Sequence, residues 1–160
     1  MNKKAIIYGI KGLKLSKNEI KLFKLVKPWG IILFSRNIKS ITQLKDLIFS
    51  IKKVINNKEL PILIDQEGGR VSRLNKIIDL SIFSQDFFGK LHKKNKKDFL
   101  FYYKIYINSV SSILKEVGIN LNTAPVLDVR RKSSHNIIGD RSFSTNPKEV
   151  AKLGKFCVSS

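Results

Sequence analysis

Four short apolar runs punctuate the chain: Ala5–Tyr8, Gly30–Phe34, Pro61–Ile64 and Ile119–Leu127. The last three show little polar alternation. Strands of a parallel sheet covered on both faces read this way, because neither face meets water. Helical spacing fills the intervals. Ser16 and Glu19 stand three apart, as a capping box requires, and Ile20, Phe23 and Val26 follow on one face. Ser40 and Gln43 repeat the device ahead of Leu44, Leu47, Ile48, Ile51 and Ile55. A longer helix is predicted over residues 97–117, with Phe99, Tyr103, Tyr106, Val110, Ile113, Leu114 and Val117 three and four apart and Gly118 as its stop. Asn146 is placed to cap a last helix, with Pro147 in its first turn, Glu149 at its third position and Val150, Leu153 and Phe156 on its apolar face.

The predicted order is β-α-β-α-β-irregular-α-β-loop-α. Alternation of this kind means a parallel sheet with crossover helices. On periodicity alone, a doubly wound sheet and a (β/α)8 barrel both stay open. Residues 75–97 are the least regular; they hold Phe87–Phe88 and a lysine run, and read as a long βα loop with a short helix. No internal repeat, low-complexity linker or domain boundary is visible, so residues 1–160 read as part of a single domain. The final helix runs into Cys157-Val158-Ser159-Ser160 with no capping glycine, which predicts a chain cut off in mid-element.

Composition changes this picture little. The chain has 160 residues, 42% of them hydrophobic, enough for one core. A single cysteine, Cys157, excludes an internal disulfide and fits a reducing compartment. No stretch approaches the ~18 apolar residues of a membrane span. The opening MNKKAIIYGIKGLKLSKNE reads as a first strand, not a signal peptide, so a cytoplasmic protein without membrane association is expected.

Charge is the exception: 31 Lys+Arg against 12 Asp+Glu give +19. Such an excess can mark a nucleic-acid binder. Here the basic residues are spread as lysines on helix faces, with no arginine-rich tail and no aromatics interleaved with glycine. A lysine-, asparagine- and isoleucine-rich composition accounts for the charge, and nucleic-acid binding is the weaker reading.

Polar clusters follow three predicted strands in succession: Phe34-Ser35-Arg36-Asn37, Asp65-Gln66-Glu67-Gly68-Gly69-Arg70, and Asp128 with the later Ile138-Gly139-Asp140-Arg141-Ser142-Phe143. In parallel α/β folds the carboxyl ends of the strands are where ligands bind. A carboxylate accepts two sugar hydroxyls, and an arginine presents a rigid fork of donors. Gly68 and Gly69 permit backbone angles closed to other residues and would let a ligand approach the main chain. The alternative is that Asp65, Arg70, Arg73, Asp128 and Arg141 are ion pairs and caps bracing the rim. Asp128 best fits local capping, Arg70 fits the turn, and Arg36 and Asn37 fit closure of the second βα loop. His92, in LHKKNKK, reads as a solvated face. His135 lies in a polar loop with no evident carboxylate partner, and Cys157 reads as packing. No phosphate-binding glycine loop and no zinc spacing occur, so no cofactor or metal is expected.

The segments GIKGLKLSKNE, PWGIILFSRNI, LIDQEGGRVSRL, GINLNTAPVLDV and IIGDRSFSTNPKEV, in this order, resemble the N-terminal half of bacterial beta-N-acetylhexosaminidases of the family-three glycoside hydrolases. The resemblance implies the first half of a (β/α)8 TIM barrel, with about four parallel strands, truncated at the C-terminus. It implies a cytoplasmic enzyme of peptidoglycan recycling that removes N-acetylglucosamine from anhydro-muropeptides by a retaining mechanism. By position, Asp65, Arg73 and Arg141 match the family's sugar-binding residues. The KH-x-PGHG motif, the catalytic-histidine loop and the nucleophilic aspartate of the family do not occur within residues 1–160, so no catalytic residue is assigned. The isolated chain is expected to be inactive and to need the C-terminal half of the barrel as partner. Its first and last strands would be unpaired edges prone to association. Gly9 stands where many members carry an aspartate.

Overall fold

A computed structural model describes residues 4–131 and 136–160 of the chain. Two compact units are distinguished. The first comprises Met1–Asp65, Arg73–Asp79 and Ile113–Asn122; the second comprises Gln66–Ser72, Leu80–Ser112 and Thr123–Ser160.

The first unit contains the sheet. Strands β1 (Lys4–Gly9), β2 (Pro28–Leu33), β3 (Ile62–Ile64) and β4 (Leu121–Asn122) lie side by side in chain order. All three pairings are parallel, with Ile31 opposite Ile62, Leu33 opposite Ile64 and Leu63 opposite Leu121. A singly wound order of this kind is that of a (β/α)8 barrel; a doubly wound sheet would reverse its order partway. Ile31, Leu33, Ile62 and Ile64 are fully buried, as their unbroken apolar runs require. Among the described residues, β1 is paired only with β2, and its Ile6 and Ile7 are 40% and 44% exposed.

Helices α1 (Lys17–Val26) and α2 (Ile41–Ile55) supply the crossovers of this unit. At α1 the predicted capping box is complete: Ser16 Oγ accepts from Glu19 N, and the Glu19 carboxylate accepts from Ser16 N. At α2 only half of it forms. Ser40 caps Gln43 N, but the Gln43 side chain accepts from Lys39 N and donates to the carbonyls of Leu13 and Asn37. Leu44, Leu47, Ile48, Ile51 and Ile55 form the buried face of α2.

The fourth strand is much shorter than its apolar run suggests. Only Leu121 and Asn122 join the ladder. Before them, Asn120 stands in for a strand residue: its Oδ1 accepts from Ile62 N at 2.7 Å and its Nδ2 donates to Leu60 O at 3.1 Å. After them, Pro125 has no N–H to give a ladder. In the second unit, the Gln85 side chain instead satisfies both the N–H and the C=O of Val126.

The second unit is helical. It contains α3 (Gln85–Lys94), α5 (Pro147–Ser159), and α4 (Lys96–Val117) up to Ser112. α3 is the short helix expected within the third βα connection. Asn146 caps α5 through Lys148 N, with Pro147 opening the helix. Phe88, Phe99, Tyr103, Phe143, Val150 and Leu153 make its core. Tyr103 sits at the centre, 4.4 Å from the Phe88 ring and 5.1 Å from that of Phe99. Burial first, then the adjacent Cys157, raises the Tyr103 phenol above its ordinary range.

Candidate functional site

In the first unit the relevant groups stand at the ends of β2 and β3. Asp65 directly follows β3, and its Oδ2 lies 3.3 Å from Arg73 Nη2. Both side chains are about a quarter exposed, 24% and 26%. The Arg73 guanidinium also lies 5.7 Å from the centre of the Phe34 ring, and that of Arg36 lies 4.5 Å from it. Cations over an aromatic face are attracted by the ring quadrupole. A carboxylate and a guanidinium thus stand together in a partly open setting, a combination that offers both acceptors and donors to a hydroxylated ligand.

Arg36 and Asn37 serve the scaffold. Buried Asn37 donates to Ile10 O and Gly12 O and accepts from Phe34 N, while Arg36 Nε donates to Ile10 O. They tie the loop after β2 to the one after β1, as loop closure requires. A Cβ on Gly9 would meet the Phe34 ring at 3.3 Å and Arg36 Nη2 at 3.4 Å, so this position is already crowded.

In the second unit the glycine turn is closed by Glu67 N donating to Val71 O at 3.0 Å. Gly68 and Gly69 have φ of +88° and +59°, as the sequence led one to expect. The expectation that they open the main chain to a ligand is corrected. A Cβ on Gly68 would collide with Phe83 O and the Tyr106 hydroxyl, and one on Gly69 would lie 2.8 Å from Ser84 Cβ. The protein's own loop and helix fill that space.

Arg141 ends a 3-10 turn, Gly139–Arg141, and faces Glu67. Its Nε and Nη2 each donate to one Glu67 oxygen at 2.8 Å. The Glu67 side chain is only 6% exposed, and its carbonyl accepts from the Tyr106 hydroxyl at 3.1 Å. Burial, then Cys157 and Glu67, raises the Tyr106 phenol above its ordinary range. Arg70 belongs to the scaffold: Nε pairs with Asp140 Oδ1 at 2.8 Å, and Nη2 donates to the carbonyls of Asn136, Ile137 and Ile138. Glu67 had been visible only as one charge in a cluster. Its partner lies 74 residues away, and no spacing rule links them.

The other candidates behave as follows. His92 is not on a solvated face but 5% exposed, edge-on to Phe99, with Nδ1 3.1 Å from Glu149 Oε2. It stands one helical turn after buried Phe88, a signal that the surrounding lysines mask in the sequence. Cys157 is partly packed against the aromatic core, and burial raises its thiol, which disfavours a nucleophilic thiolate. Asp128 is exposed, and its carbonyl, not its carboxylate, accepts from Ser142 Oγ. His135 lies outside the described residues. No helix among the described residues is long and apolar enough to cross a membrane.

The sequence and the fold are similar to those of known proteins. The N-terminal domain of glycosyl hydrolase family 3 matches residues 8–160. A beta-hexosaminidase of Tolumonas auensis is 35% identical over 160 residues, spanning 92% of this chain and 42% of its own. One from Xanthomonas campestris pv. campestris is 31% identical, spanning 96% and 45%. Among solved structures, NagZ from Neisseria gonorrhoeae in complex with N-trifluoroacetyl-D-glucosamine superposes with a TM-score of 0.82 at 31% identity, over 97% of this chain and 46% of that one. A family 3 beta-N-acetylglucosaminidase from a Paenibacillus species gives 0.78 at 29% identity, over 96% and 28%. The chain spans a little under half the length of the curated relatives named here. On the extent of these matches, it belongs to glycosyl hydrolase family 3, as a member of that family's N-terminal domain.

Proposed function

We propose that this chain supplies the sugar-binding half of a beta-N-acetylhexosaminidase. The observation that carries the reading is the Asp65–Arg73 pair at the end of β3, a partly open carboxylate and guanidinium 3.3 Å apart. On this reading Asp65 accepts sugar hydroxyls, while Arg73 and Arg141 donate to hydroxyl or carbonyl oxygens of the ligand. The similarity to a NagZ crystallised with an N-acetylglucosamine analogue supports N-acetylglucosamine as the recognised unit. The substrate class is then a peptidoglycan fragment with a terminal N-acetylglucosamine, met in the cytoplasm.

The retaining reaction of such enzymes needs a nucleophilic carboxylate and an acid/base group. No residue from 1 to 160 is assigned either role. Those groups come from a C-terminal barrel half, joined in one polypeptide or supplied as a partner. The 160 residues alone bind the sugar without cleaving it. Calorimetric titration with N-acetylglucosamine, beside an assay on a chromogenic N-acetylglucosaminide, tests this. Binding without turnover is expected. Turnover would overturn the division of labour, and absence of binding would overturn the sugar-binding role.

A further inference from the structure

We propose that Glu67 and Arg70 are positioning residues for Arg141, one acting on its side chain and the other on its main chain. The inference rests on reading Arg141 as a sugar-binding residue, but its geometry stands within the second unit alone.

Glu67 grips the guanidinium side-on. Two parallel bonds of 2.8 Å, from Nε and from Nη2, fix the plane of the group as well as its position. Nη1 adds a longer bond, to Ile137 O at 3.3 Å. Glu67 is itself held: its N–H donates to Val71 O, its C=O accepts from Tyr106, and its side chain is almost wholly buried. A carboxylate so placed is a fixed reference against which Arg141 is oriented. The sugar-binding arginine therefore meets its ligand with little rotamer freedom left to lose.

Arg70 acts on the turn from which Arg141 springs. Its Nη2 bonds the carbonyls of Asn136, Ile137 and Ile138 at 2.8, 2.5 and 3.2 Å, and its Nε pairs with Asp140. Gly139, with φ of +39°, lies so close that a Cβ there would be 3.3 Å from Arg70 Nη2. The next link is Arg141 N donating to Ile138 O at 2.8 Å. Arg70 and Asp140 are both 44% exposed, so their pair contributes little to stability. Converging on three successive carbonyls, the guanidinium holds the turn. A lysine keeps the charge but not the planar fork.

The test is the exchange rate of the Arg141 Nε–H with solvent in the 160-residue chain. Arginine-selective NMR reads it, with the resonance identified by its loss in Arg141→Lys. Slow exchange is expected in the parent chain. Glu67→Gln should speed it at least about tenfold, because one charged acceptor is lost. Arg70→Lys should also speed it, while the melting temperature stays within about 4 °C. Both variants should weaken N-acetylglucosamine binding about tenfold. Unchanged Arg141 exchange in Arg70→Lys and Glu67→Gln would overturn the proposal. Where Glu67→Gln does not fold, Arg70→Lys decides alone. Faster exchange in a chain that binds no sugar upholds the positioning and removes only the sugar-binding role.

Discussion

Asp65 Oδ2 lies 3.3 Å from Arg73 Nη2, and each residue keeps about a quarter of its side chain exposed. A pair so exposed is worth only about 0.2–1 kcal/mol to the fold. The same charges facing a bound sugar would make hydrogen bonds worth about 1.5–3 kcal/mol each. Arg73→Ala and Asp65→Asn should therefore cut N-acetylglucosamine affinity tenfold or more, beyond whatever stability each variant loses. Urea denaturation and calorimetric titration measure the two effects. Lost stability with unchanged affinity would make the pair a brace.

Gln85 is 4% exposed, and both ends of its amide are bound to Val126 at 2.7 Å. Gln85→Ala strips two buried backbone groups of their partner, at about 1–3 kcal/mol for each. A loss of roughly 2–6 kcal/mol in urea denaturation is expected on that basis. A change under about 1 kcal/mol would mean that Val126 finds other partners on relaxation.

Gly68→Ala meets two penalties. The backbone has φ of +88°, and the new methyl group would strike Phe83 O and the Tyr106 hydroxyl. Strain of the first kind costs about 1–2 kcal/mol, and the collision adds to it. Gly12 has nothing within 4 Å of its would-be Cβ and a negative-φ backbone, so Gly12→Ala should be neutral or slightly stabilising. Thermal melts of the two variants should separate clearly; equal melts would contradict the crowding at Gly68.

Glu19 titrates below the 4.5 usual for a glutamate. Slight burial pulls it up, but the hydroxyl and N–H of Ser16, the N–H of Lys11 and the Lys11 charge outweigh this. A carboxyl lowered on folding stabilises α1 above its unfolded pKa, and that contribution fades as pH falls through the folded pKa. Carbon-detected NMR should place the Glu19 midpoint below 4.5, and Ser16→Ala should move it upward. A midpoint at or above 4.5 in the parent chain would show that the cap is not formed in solution.

Much of the fold could be read from local pattern. Ser16, Ser40 and Asn146 mark helix starts through bonds made within three residues. Buried strands announce themselves by losing alternation. The exception, β4, shows the limit. An apolar run reports burial, whereas a strand also needs a neighbour with free backbone groups. Past Asn122 the neighbour for Val126 is a side chain. His92 shows the converse: it lies one helical turn from Phe88 and is buried with it, but the lysines around it suggest water.

By itself the sequence determined most of the elements, their order and the parallel sheet that such alternation demands. All of these follow from near-neighbour spacing along the chain. Only the tertiary structure decided that Glu67 holds Arg141, that Phe83 and Tyr106 fill the space above Gly68, and that Gln85 satisfies Val126. Those partners lie tens of residues apart. Which of several chemically equivalent carboxylates and amides comes within reach is set by how the backbone folds back, a long-range geometry that no local spacing encodes.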